Sequence, residues 1–184
     1  MISQANGSGS IDALVAELAE ARAAFRAALD DVDPALLTTP GLVGEWSARE
    51  LVAHLGYWTG HAADALHAAE DSRTAEFDAE ALDVEARNAT VARVAAATDF
   101  ETVRKREEAS FDALLDRLRD ADPAWLLERT GSGDTVEHVL REDGAEHYRE
   151  HAADIRAWFA EGTAEADAAE DSDEADAGEE HEED

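Results

Sequence analysis

Apolar residues recur at helical spacing through the first 160 positions, and most runs are bounded by residues that start or stop helices. Ile11, Leu14, Val15, Leu18, Phe25 and Leu29 fall on one helical face. Ser10 stands where an N-cap belongs, after a polar lead-in of residues 1–9 that is expected to be flexible. Asp33-Pro34 ends the run, because a proline pushes its predecessor out of the helical region. TTPGLVGEW is a loop punctuated by Pro and Gly. Ser47-Ala-Arg-Glu50 has the form of a capping box and opens a second helix. Its stripe is Leu51, Leu55, Trp58, Ala62, Ala65 and Leu66. Residues 71–97 are less regular and read as a crossover holding a short extra helix or two.

Thr98 and Glu101 form a second capping box, and Val103, Phe111, Leu114, Leu115 and Leu118 mark a third long helix that stops at Asp122-Pro123. After the turn RTGSGD, Asp134 is the expected N-cap of a fourth helix carrying Val136, Val139, Leu140, Tyr148, Ile155 and Phe159. Gly144 inside it costs about 1 kcal/mol relative to Ala. No strand pattern occurs. The expectation is an all-α four-helix bundle over residues 10–161, with a long crossover between helices two and three. The remainder, residues 162–184, has no large apolar residue and reads as a disordered acidic tail.

Charge narrows the function classes. Fifteen Lys plus Arg face 45 Asp plus Glu, a formal net charge of −30. Such a surface repels nucleic acid phosphates and anionic lipid, so neither is an expected partner. Lys105 is the only lysine. An acidic, Lys-poor, Cys-free composition is similar to that of salt-in halophile proteins, whose folds depend on salt to screen self-repulsion. Without Cys there is no disulfide and no thiolate ligand. No apolar run is long enough to span a membrane and no signal peptide is evident, so a cytoplasmic location is expected.

Histidine is the chemistry-bearing residue. His147 and His151 lie four apart, as neighbours on a helix, and share a stripe with Asp143. His54 points with the stripe of helix two, and His61 lies two turns further on. On pattern alone these histidines fit either a metal site or a bland surface-and-core role. The H-x-x-x-H lacks the adjacent Glu of a zinc-protease helix. His67 reads as surface, His138 falls on the opposite side of the helix from His147, and His181 lies in the tail.

Three stretches together carry a family resemblance. GEWSARELVAHLGYW, LDVEARNATV and EHYREHAADIRAWF resemble, in order, segments of the DinB-like superfamily, which includes the mycothiol-dependent maleylpyruvate isomerase metal-binding domains. The resemblance implies a divalent metal held by one His of helix two and two of helix four, here His54, His147 and His151. Trp58, His61, Asp143 and Tyr148 would line the cavity or orient the ligands. Zn, Ni or Fe would fit, with a low-molecular-weight thiol as a possible cofactor. The implied function is a metal-dependent thiol-linked transferase or isomerase, or a hydrolase, acting on a small molecule. The alternatives are a non-catalytic metal-binding or stress protein and a structural bundle that forms a homodimer.

Overall fold

Five helices, not four, build the fold in the computed structural model, which describes residues 4–80 and 83–160. They are α1 (Gln4–Asp30), α2 (Ala48–Glu70), α3 (Val84–Ala96), α4 (Phe100–Arg119) and α5 (Val136–Leu140). The expected four-helix bundle is therefore corrected. The all-α class and the long connection from α2 to α4 stand, but the connection contains α3 as a full helix. Its weak sequence signal has a physical cause. Only Ala95 of α3 is buried, while Val84 and Val94 stay about half exposed. Polar bonds help to fix α3 to α2: Trp58 Nε1 donates to Asn88 at 3.0 Å, and Arg87 donates to the Tyr57 hydroxyl at 2.5 Å. The acidic tail from residue 162 lies outside the described residues.

Helix starts follow local chemistry. Ser47 and Glu50 form both halves of the expected capping box on α2. At α4 the cap is Asp99, one residue after the expected Thr98, and at α5 it is Thr135, one after Asp134. Ser10 lies inside α1 rather than at its start. No strand forms among the described residues, and no helix there is long and apolar enough to cross a membrane.

The last helix departs most from the expected pattern. α5 passes directly into a π-helical turn, Arg141–Glu146, and then into helical residues 147–160. Gly144 sits in that turn against α1, where an added Cβ would come within 2.5 Å of Leu18 Cδ2. Leu18 is wholly buried, so the glycine leaves the room that the Leu18 side chain occupies. The wider turn also changes the phase of the helix. His138, expected on the opposite side of the helix from His147, stays out of the triad and lines the pocket that holds His61 and Asp143.

Leucine and alanine stripes of α1, α2, α4 and the last helix fill the core. One polar group runs through it. Arg22 of α1 holds Glu107 of α4 through two bonds, of 2.7 and 2.8 Å. Tyr148 donates to the same carboxylate at 2.5 Å, and Thr59 donates to the Tyr148 oxygen at 3.2 Å. Tyr148 is thus a wholly buried core residue that faces this network.

Candidate metal centre

Each histidine of the expected triad is delivered by a helix. The Ser47 cap fixes the start of α2, and His54 follows two turns in, on the same buried face as Leu51, Leu55 and Trp58. The preceding loop closes on itself, with Leu42 N donating to Trp46 O at 2.9 Å. Gly41 and Gly44 take the positive φ values of +110° and +57° that this turn requires. The loop sets the Trp46 ring 5.0 Å from the His54 ring. His147 and His151 come from the last helix, immediately after its π turn, one α-helical turn apart.

The three imidazoles meet. One ligating nitrogen from each of His54, His147 and His151 lies within 4.8 Å of the others, and no other such group of three or more forms among the described residues. His54 Nε2 and His147 Nε2 are 2.8 Å apart. His54 and His151 are buried, His147 half-buried. Two nitrogens have no partner despite complete burial, His54 Nδ1 and His151 Nε2. A bare buried nitrogen is costly unless something outside the side-chain set completes it. His151 is oriented from its other side, where Asp154 Oδ2 lies 2.7 Å from Nδ1. A carboxylate behind an imidazole fixes the tautomer that leaves Nε2 free for a metal. Asp154 escaped the sequence reading, although its i,i+3 spacing from His151 is the signal that finds it.

Electrostatics favours the same state. Burial, with His151 adding to it, pushes His54 down to about 4, and Asn88 only partly opposes this. Burial and the neighbouring His54 and His151 push His147 down to about 3. Neutral imidazole is the metal-binding form. The donor chemistry, the convergence and the two bare nitrogens therefore fit one divalent ion.

The other expected site residues divide into two groups. Trp58 stands between the triad and a second polar cluster, its ring 6.5 Å from His147 and 5.3 Å from His61. Asp143 does orient an imidazole, but that of His61: the carboxylate lies 2.7 Å from Nδ1. Asp78 of the crossover lies 3.2 Å from His61 Nε2. Burial alone would lower the His61 pKa, but Asp143 and Asp78 hold it above the ordinary imidazole value. A pocket of about 390 Å³ opens here, lined among others by Trp58, His61, Asp78, His138 and Asp143. Tyr148 belongs to neither group. His67 is half exposed on the surface, as expected.

Comparison with known proteins bears on the fold and the family. No curated protein matches the chain by sequence. A crystal structure of the mycothiol-dependent maleylpyruvate isomerase superposes with a TM-score of 0.65 at 21% identity. The match covers 79% of this chain and 60% of that one, so this chain spans well under the whole length of the isomerase. At that identity the likeness establishes the shared fold. The family model described as the mycothiol maleylpyruvate isomerase N-terminal domain matches residues 18–146, a span that includes His54 and stops one residue before His147. The chain belongs to this mycothiol maleylpyruvate isomerase N-terminal domain family, within the DinB-like superfamily.

Proposed function

We propose that this chain binds one divalent ion through His54, His147 and His151 and uses it in a thiol-linked transfer or isomerisation of a small molecule. The observation that carries the reading is the convergence of three imidazoles with two buried nitrogens left bare. Three protein ligands leave an open position, the form of a catalytic rather than a structural site. Zinc, nickel and iron all accept such a donor set, because three imidazoles select weakly among them. When bound, the ion supplies a nucleophile at neutral pH by lowering the pKa of a thiol or water at its open position. The chain's own residues do the rest. Asp154 holds the His151 ring, and Trp46 and Trp58 flank His54 and limit the approach of water.

Elemental analysis of purified protein supplied with Zn²⁺ or Ni²⁺ tests this. About one ion per chain is expected in the wild type, with severe loss in His54→Ala, His147→Ala and His151→Ala. His67→Ala should keep its ion. Full retention in any of the three ligand variants, or no ion in the wild type, refutes the assignment. A small thiol such as 2-mercaptoethanol should release a proton on binding to the loaded protein, and no release would move the reaction class to hydrolysis.

A further inference from the structure

The pocket beyond Trp58 holds a histidine that the metal reading does not use. His61 is gripped unequally by its two carboxylates. Asp143 binds Nδ1 at 2.7 Å from the π turn, within the continuous last helix. Asp78 reaches Nε2 at only 3.2 Å, from a crossover turn in which it holds a φ of +53°. A non-glycine residue in that region is under strain, so Asp78 is the partner more easily moved. Trp58 and Phe77 pack against the ring at 5.3 and 4.7 Å and keep it from turning. His61, Asp78 and Asp143 each retain 12–18% side-chain exposure, so the cluster is reachable from the pocket.

We propose that His61 is the proton-transfer residue of this pocket, with Asp143 positioning its ring and Asp78 covering Nε2 until a small substrate with a carbonyl oxygen displaces it. This rests on the metal reading only for the nucleophile, a thiolate or activated water. As the nucleophile adds to the carbonyl carbon, the C=O π pair moves onto oxygen, which takes the Nε2 proton. The ring is left neutral and still donates from Nδ1 to Asp143. In the reverse sense the O–H proton returns to Nε2, C=O re-forms and the leaving group departs with its electron pair. The pocket also presents Glu80, Asp134 and Glu142. Five carboxylates repel anions, so the substrate is neutral or cationic.

The test uses zinc-loaded full-length protein and the neutral ester 4-nitrophenyl acetate, with and without 2-mercaptoethanol. His61→Gln should lower kcat by about 100-fold or more while zinc stoichiometry stays at the wild-type value. Asp143→Asn should lower kcat less and move the alkaline limb of the pH profile to lower pH, because the imidazolium loses a carboxylate. That profile is set against the other titrating groups facing the pocket: Asp78, Glu80, Asp134, His138 and Glu142. His67→Ala is the control. Independently of any metal, diethyl pyrocarbonate should carbethoxylate His61 faster in Asp78→Ala than in wild type, mapped by peptide mass. A His61→Gln rate within two-fold of wild type, no turnover by the loaded wild type, or equal labelling in Asp78→Ala overturns the proposal. Loss of zinc from the wild type would instead overturn the metal reading.

Discussion

Two polar clusters share α2 and the last helix, and they are built on opposite principles. In the Arg22–Glu107–Tyr148–Thr59 network the carboxylate is fully engaged. Glu107 accepts twice from Arg22 and once from Tyr148, while the Arg22 guanidinium also lies over the Phe111 ring at 4.5 Å. Burial, with Glu107 alongside, raises the Tyr148 pKa well above the usual phenol value, so it remains a neutral donor. In the His54–His147–His151 cluster two nitrogens have no partner at all. A network that satisfies itself is finished by folding and serves as structure. A cluster left bare is finished by something that binds. The contrast separates a buried polar group that holds the fold from one that the fold holds for use.

The largest expected effect comes from breaking the satisfied network. Glu107→Ala strands the Arg22 charge in the core and should destabilise the protein by about 3–5 kcal/mol. Urea unfolding in fixed salt measures it, and zinc stoichiometry should not change. A loss below about 1 kcal/mol would mean that the pair is surface-like and the contrast false. Next comes pH, which acts on the bare cluster. His54 at about 4 and His147 at about 3 are neutral in the fold, whereas an unfolded histidine titrates near 6.5. Through the window between those values the unfolded chain binds more protons, so stability rises with pH and is lost as pH falls. Metal-free protein should lose on the order of a few kcal/mol from pH 7 to pH 5, before most carboxylates protonate. The double variant His54→Leu, His147→Leu should flatten that slope.

The bare cluster was far more legible in the sequence than the satisfied one. His147 and His151 are neighbours by spacing alone, and the Ser47–Glu50 box sets the phase that turns His54 inward. Arg22 and Glu107 are 85 positions apart, and each reads as one more surface charge in a highly charged chain. Helix α3 was under-read because it buries one alanine, which leaves little amphipathic signal. The π turn was invisible because an extra residue in a helical turn has no signature in period 3.6. With it went the particular imidazole that Asp143 orients, that of His61. Gly144 was read as a helix weakness. In the fold it is the point of close approach to Leu18.

Asp154 tests the bare cluster one step out. It does not touch the site of the ion, yet it holds the His151 ring by Nδ1. Asp154→Ala should weaken zinc affinity by about 10–100-fold, or about 1.4–2.8 kcal/mol. Competition with a chromogenic chelator reads this, with the metal-free melting temperature nearly unchanged. Equal affinity would show that His151 needs no carboxylate to present Nε2.

The smallest effect sharpens the comparison most, because it sets one polar atom of each cluster side by side in metal-free protein. Thr59 is wholly buried and donates to the Tyr148 oxygen, which already donates onward to Glu107. Thr59→Val keeps the shape and removes one donor from a satisfied chain, so it should cost about 0.5–1.5 kcal/mol. His54→Leu removes a ring whose Nδ1 has no partner, and with it the single 2.8 Å contact of its Nε2 with His147 Nε2. Without metal it should be neutral or slightly stabilising, since an apolar side chain relieves a buried unsatisfied nitrogen. Unfolding of both variants at one pH, 8, well above the values of His54 and His147, keeps the protonation of those two out of the comparison. If His54→Leu costs more than Thr59→Val there, the triad is contributing to the fold in its own right, and the division between holding and being held fails.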